Sequence, residues 1–284
     1  MKLIFRKNDS TTSLLLFVYN HYLALRGKDS IKLSSLLEYM RAFGKTDSAV
    51  RMGLSRAVKS GLLSNSKQGN EVFYSLTDEG KQVITSWNEG VMQFWERYRQ
   101  RNEPWDGNWY IVNLHHAANE TEGYAQFAEK IEGLGFVLIN SNTWVSPYRN
   151  QAGLKKLTEE FGMGEHLIEF YGEMTIHQDL QQFLDDTFNI SKLRSLYREY
   201  IDIFKPKFAE FQQRVQEEHF VEAGYALPLL NELGWNFFQV ASNDIVLPRQ
   251  LLNQWEEDEA STLFKEFREA LLPYIHYFLN KFDS

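Results

Sequence analysis

The first 60 residues carry hydrophobic positions at near-helical spacing. Apolar side chains recur in this way from Thr12 to Leu25, and Gly27 predicts the end of that first helix. A short second helix would bury Leu36, Leu37 and Met40. A tight Phe-Gly-Lys turn then precedes a third helix that runs to residue 59, which is the spacing of a helix-turn-helix unit.

The third helix, capped by Thr46 or Asp47, has two contrasting faces. At about 100° per residue, one arc is apolar and comprises Val50, Leu54, Ala57 and Val58. The opposite arc carries three cations, two hydroxyls, one methionine and no anion: Ser48, Arg51, Met52, Ser55, Arg56 and Lys59. Such a face is either the solvated side of an ordinary helix or a DNA-reading surface, since Arg forks onto guanine and Ser and Lys suit phosphates or base edges.

A polar hairpin follows and favours the DNA-reading interpretation. A strand begins at Leu62–Leu63, residues 64–70 form a polar turn run, and residues 72–76 form the return strand. Together these elements predict a winged helix-turn-helix over residues 1–76. The predicted DNA contacts are Lys45, Ser48, Arg51, Met52, Ser55, Arg56, Lys59 and Lys67. Because winged helices also dock proteins, an interaction scaffold without sequence-specific DNA binding is the alternative.

Residues 77–175 predict one long helix and then an α+β unit. An apolar stripe from Asp78 to Arg99 indicates a linker or dimer helix over residues 77–104. Residues 105–175 then predict a ferredoxin-like middle domain. Its elements are the strand Trp109–Leu114, a helix to Leu134, two strands, a helix and a last strand at 167–171.

The remaining chain, residues 176–284, predicts a mainly helical domain. Helices are expected at 180–188, 193–204, 208–220, 227–233 and 263–282, with Pro206 interrupting the pattern. The fold class is therefore α+β, with a winged helix, a ferredoxin-like middle domain and a helical C-terminal domain.

Several strings resemble one known family in order along the chain. AVRMGLSRAVKSGLL (49–63) and YSLTDEG (74–80) resemble the N-terminal domain of the PaaX family of repressors of phenylacetate degradation. WDGNWYIV (105–112) and GLGFVLINSNTWVSP (133–147) are similar to its middle domain, and LPLLNELGWNFFQVASNDIVLPRQLLNQW (227–255) to its last domain. The chain departs from that family in an acidic helix at 120–133 and in Asn253, where a proline is usual.

The resemblance implies a cytoplasmic, homodimeric transcriptional repressor that binds double-stranded operator DNA. It also implies release from the operator by an aryl-acetyl-CoA effector such as phenylacetyl-CoA, and hence control of phenylacetic acid catabolism. An effector pocket among the apolar segments would be lined by Trp109, Trp144, Arg149 and Trp235, although each also suits ordinary core or surface.

Charge and composition narrow the function classes. The net charge of −8 at first argues against a nucleic-acid partner. However, residues 1–104 hold 16 Lys+Arg and 10 Asp+Glu, whereas residues 105–284 hold 14 Lys+Arg and 28 Asp+Glu. The net positive charge therefore lies in the segment that contains the predicted winged helix. The absence of cysteine excludes disulfides, thiolate metal sites and thiol-based sensing. No run of about 18 apolar residues is present, so no membrane span is expected.

Enzymatic chemistry finds little support in the sequence. No His pair has the i, i+4 spacing of a helical metal site, and no Gly-rich phosphate loop occurs. Some ferredoxin-like proteins are metal-dependent nucleases with a carboxylate at the end of the first strand, but Trp109–Leu114 contains neither Asp nor Glu. We therefore expect a non-enzymatic protein without a metal or cofactor.

Overall fold

The computed structural model describes residues 10–115, 123–218, 223–252 and 254–283. Asn253 and residues 120–122 of the acidic segment at 120–133 lie outside these ranges. Seven strands are described: β1 Ser30–Lys32, β2 Leu63–Gln68, β3 Glu71–Leu76, β4 Trp109–Leu114, β5 Val137–Asn140, β6 Thr143–Ser146 and β7 Leu167–Gly172. The described helices are α1 Thr11–Arg26, α2 Leu33–Arg41, α3 Asp47–Lys59, α4 Asp78–Gln100, α5 Tyr124–Gly133, α6 Gln151–Phe161, α7 Leu180–Phe188, α8 Ile190–Glu218, α9 Ala223–Ala241 and α10 Glu256–Lys281.

The N-terminal elements form a winged helix. Three helices pack beside an antiparallel sheet of order β1-β3-β2, in which a two-residue turn joins β2 to β3. Gly69 opens that turn with a φ of 61°, a conformation that glycine adopts without steric cost. The hairpin register pairs Leu63 with Leu76, which are both buried, and so directs these side chains into the core.

The central elements form a four-stranded antiparallel sheet of order β5-β6-β4-β7. With α5 after β4 and α6 after β6, this is the βαββαβ arrangement of a ferredoxin-like unit, and the α+β fold class is confirmed. One sheet face packs against helical side chains to form a core that contains Tyr110, Val112, Leu114, Phe127, Ile131, Trp144 and Leu154.

The C-terminal third is helical, but its helices are longer than the sequence predicts. The predicted interruption at Pro206 is wrong, because α8 continues through it without a break. Pro228 and Pro273 likewise lie inside α9 and α10. A proline removes one backbone donor and bends a helix, and packing of the apolar faces on both sides offsets that cost. Among the described residues, no helix is both long and apolar enough to cross a bilayer.

The chain divides into two compact units, and each unit combines segments that are far apart in the sequence. One unit joins the winged helix, up to Val91, with Tyr197–Gln239 and the chain from Glu257 onward. The other joins Met92–Leu196 with Val240–Glu256. The C-terminal third therefore contributes to both units.

Within the first of these units, the end of α10 packs on the winged helix. The Tyr39 hydroxyl donates to the Leu279 carbonyl at 2.7 Å, and the Tyr39 ring meets Phe278 edge-on, with ring centroids 5.8 Å apart. Arg26 forms an ion pair with Asp283 at 3.1 Å. A carbonyl group in the last turn of α10 is thus satisfied by a hydroxyl of the winged helix.

Candidate nucleic-acid interface

The N-terminus of α3 is fixed by a cap and by an ion pair. The Thr46 hydroxyl accepts a hydrogen bond from the Ala49 amide at 3.3 Å, so Thr46 is the capping residue. The Asp47 carboxylate instead binds the Arg41 guanidinium at 3.0 Å. Asp47 and then Glu38 hold the pKa of that guanidinium above its usual range. These contacts tie α3 to α2 across the turn.

The apolar side of α3 sets the direction of its polar side. Val50, Leu54 and Ala57 are buried as the sequence predicts. Gly53 is also buried and faces α1, where its backbone approaches Thr11 closely. Because α3 is held along this whole side, the opposite arc is presented to solvent in one orientation.

The predicted DNA contacts on α3 are all exposed, and they share one arc: Ser48, Arg51, Met52, Ser55, Arg56 and Lys59. Lys45 is half-buried in the turn before the helix. Over the ranges that the structure describes, no acidic side chain pairs with Arg51, Arg56 or Lys59. Their charges are therefore available to an external anion such as a phosphate.

The wing is a polar, exposed edge strand. From Ser64 to Gln68, β2 is exposed throughout, and it includes Lys67. The partner strand is anchored by Glu71, whose carboxylate pairs with Lys32 at 3.1 Å. The Tyr19 hydroxyl also donates to the Tyr74 carbonyl at 2.8 Å. Short polar side chains on a supported hairpin suit contact with a nucleic-acid backbone.

Two of the four predicted effector residues, Trp109 and Trp144, lie on opposite faces of the central sheet. Trp144 lies at 1% exposure in the sheet–helix core, whereas Trp109 points to the other face of the sheet and stacks with Phe188 at 6.1 Å between ring centroids. Arg149 is exposed and lies over the Tyr171 ring at 5.1 Å. Trp235 is half-buried on α9, in the other compact unit.

A cavity that the sequence analysis missed lies within the unit that contains the central sheet. Its volume is about 490 Å³, and its walls come from the ends of α4 and α5, the start of α8 and residues 242–245. Arg97 and Lys192 contribute cations, Glu129 and Glu132 carboxylates, and Phe188 an apolar wall. The lining residues are far apart in sequence, so no local pattern marks the cavity. Phe188 lines this cavity and also stacks with Trp109.

The carboxylate that precedes β4 is engaged in structural hydrogen bonds. Asp106, which precedes β4, accepts hydrogen bonds from the Tyr171 hydroxyl at 2.5 Å and from the Asn108 amide at 2.9 Å. These bonds lower the pKa of Asp106. In the described part of the chain, no three His, Asp or Glu side chains are grouped closely enough to hold a metal ion.

Known proteins share this arrangement of domains. Residues 10–80 match a family model described as PaaX-like protein, and residues 102–184 match one described as the PaaX protein central Cas2-like domain. The transcriptional repressor PaaX of Escherichia coli (strain K12) is 25% identical over 246 residues, which cover 86% of this chain and 74% of that protein.

A solved structure supports the same fold. The uncharacterized protein Rv0674 from Mycobacterium tuberculosis superposes with a TM-score of 0.60 at 14% identity, and the match covers 97% of this chain and 100% of that one. The two family models together span both the winged helix and the central sheet, in the order in which the sequence motifs occur. The chain therefore belongs to the PaaX family, whose members are transcriptional repressors and not enzymes.

Proposed function

We propose that this protein represses a catabolic operon by placing α3 in the major groove of double-stranded operator DNA, with the wing against the backbone. The observation that carries the proposal is the exposed arc of α3, where Arg51, Arg56 and Lys59 meet no acidic partner in the described chain. Lys67 on the wing adds a fourth cation. In winged helices of this kind, the recognition helix contacts base edges and flanking residues contact phosphates.

A homodimer would place two such helices in successive major grooves. It should therefore prefer an inverted repeat whose half-sites are about one helical turn, or a multiple of it, apart. Exposed apolar side chains along the edge strand β7 support self-association, since Ile168 is 50% and Phe170 is 58% exposed. This repressor would act in the cytoplasm.

The effector would be a small molecule, and by family membership an aryl-acetyl-CoA such as phenylacetyl-CoA. The 490 Å³ cavity beside Phe188 supports this proposal, because its size lies in the range of ligand sites and it combines an aromatic wall with the cations of Arg97 and Lys192, which lie among the carboxylates of Glu129 and Glu132. An effector that binds the DNA-incompetent conformation more tightly would release the operator.

A gel shift tests the proposal with the DNA upstream of the protein's own gene and with a scrambled duplex of equal length. We expect a shift of the upstream DNA that weakens steeply from about 50 to about 200 mM salt, because phosphate contacts release counterions. Adding phenylacetyl-CoA should reverse the shift, and free coenzyme A is the control. Failure to shift any duplex at low salt would favour the protein-interaction scaffold.

A further inference from the structure

Met52 is the unusual residue of the exposed arc. Its side chain is 54% exposed, whereas Val50 and Leu54 on the same helix are fully buried. A single exposed apolar side chain is common on protein surfaces, so what distinguishes Met52 is its position on the arc that would face DNA. The arc therefore carries one apolar group that the packing of the winged helix does not use.

Helical geometry places Met52 inside that arc, between Lys59 and Arg56. At about 100° per residue, the six side chains span about 140°, in the angular order Arg51, Ser55, Ser48, Lys59, Met52, Arg56. The two arginines thus lie at the edges. When a helix lies in a groove, the long arginine side chains at the flanks can reach base edges or phosphates, whereas the residues between them face the floor, where the bases are exposed.

The neighbours of Met52 make it the most protruding apolar group on this side of α3. Ser48 lies four residues before it and Ser55 three residues after it, and both have the shortest hydroxyl side chain. The thioether chain therefore extends past them. Gly53 packs closely on α1 on the buried side of the helix, so Met52 faces away from the core of the winged helix.

On the major-groove floor, the C5-methyl group of thymine is the apolar feature among base-edge donors and acceptors. We propose that Met52 is a specificity-determining residue that contacts a thymine methyl group in each half-site. The inference rests on the proposed DNA-binding function, and it adds that one contacted base in each half-site is a thymine. Burial of one methyl against the methionine side chain is equivalent to about a fourfold gain in affinity.

A uracil scan of the preferred DNA sequence tests this inference. The full chain is first used to select its preferred duplex from a randomised pool, and each thymine of one half-site is then replaced singly by deoxyuridine, which lacks only the methyl group. Affinities are measured by fluorescence anisotropy for the wild type, for Met52→Ala and for Met92→Ala. Met92 is 60% exposed and lies on α4, so it is a matched control for loss of an exposed methionine.

We expect one uracil position to weaken binding of the wild type about fourfold, with no effect at that position in Met52→Ala and the wild-type pattern in Met92→Ala. A preferred duplex whose uracil scan is flat, or whose sensitive position persists in Met52→Ala, would overturn the role of Met52 while leaving the proposed function intact. A pool that yields no preferred duplex would contradict both the role of Met52 and the proposed function.

Discussion

Gly53 on α3 and Thr11 on α1 lie so close that a Cβ atom added to Gly53 would be 2.4 Å from the Thr11 Cγ2 atom. That separation is far below van der Waals contact, so the absence of a side chain at Gly53 permits the helix-to-helix approach. A glycine inside a helix costs about 1 kcal/mol relative to alanine. The tight packing of the recognition helix offsets that cost.

Gly53→Ala should therefore destabilise the winged helix by about 1–3 kcal/mol, despite the better helix propensity of alanine, because the added methyl overpacks the contact. Urea unfolding followed by circular dichroism measures the change. Gly234→Ala is the matched control, since its Cβ would lie 4.0 Å from Phe264 and should leave stability unchanged or raise it. A variant Gly53→Ala that is as stable as Gly234→Ala would contradict the close approach.

The buried ion pair of Arg101 and Asp244 provides a second test. These side chains are 1% and 3% exposed and 3.2 Å apart, and the Arg101 guanidinium also donates to the Leu247 carbonyl at 3.2 Å. Arg101→Ala leaves a buried carboxylate without this partner and should cost about 3–5 kcal/mol.

The matched control is the exposed ion pair of Lys205 and Glu259, which is 2.8 Å long. Lys205→Ala should cost less than about 1 kcal/mol, because solvent screens the exposed charges. Thermal unfolding of both variants makes the comparison. Equal effects on the melting temperature would contradict the prediction that burial makes the Arg101–Asp244 ion pair more important for stability than the exposed pair.

Two buried tyrosines differ in whether their hydroxyl groups are paired. The Tyr39 hydroxyl donates to the Leu279 carbonyl, whereas within the described chain the Tyr200 hydroxyl has no hydrogen-bond partner. Tyr39→Phe should lower the free energy of unfolding by about 1–2 kcal/mol, since it leaves a carbonyl unpaired. Tyr200→Phe should be neutral or stabilising, because it removes a buried polar group. The reverse order in chemical denaturation would contradict the assigned contact between the winged helix and α10.

His21 makes stability depend on pH. Desolvation, with smaller contributions from the charges of Arg268 and His276, lowers the pKa of His21 to about 4, against the opposing hydrogen bond to the Phe17 carbonyl. Because the unfolded state binds more protons between about pH 4 and 6.5, stability falls as the pH drops through this window.

For His21 alone, we expect a loss of about 2 kcal/mol between pH 7.5 and pH 5.0. His21→Gln keeps a donor for the Phe17 carbonyl and should remove this part of the pH dependence. The exposed His177→Gln variant should retain it. Urea unfolding at the two pH values measures the difference. An unchanged slope in His21→Gln would assign the acid sensitivity to other groups.

Elements that arise from local pattern were predictable from the sequence. The caps and periodicity of α3, the wing hairpin, and the strand Trp109–Leu114 all follow from neighbouring residues. Strand β1 was not predicted, because three residues become a strand only by pairing with β3. The predicted break at Pro206 failed because tertiary packing of α8 outweighs the lost backbone donor.

Features that depend on register or on long-range packing were not predictable in this way. The residue types of Trp109 and Trp144 suit one pocket, but the pairing of Val112 with Trp144 places the two indoles on opposite faces of the sheet. The contacts of α10 with the winged helix join residues about 240 positions apart. Such contacts leave no periodic signal in a single sequence.

The central claim is that α3 reads DNA, and competition binding of an Arg51→Ala variant tests it most directly. The measurement is the ratio of affinities for the preferred duplex and for a scrambled duplex at one fixed salt concentration. We expect Arg51→Ala to lose about 1–3 kcal/mol of binding to the preferred duplex and to relax discrimination at one base position. Arg214→Ala, which removes an exposed arginine of α8, should keep the wild-type ratio. A wild-type ratio in Arg51→Ala would contradict base reading by this helix face.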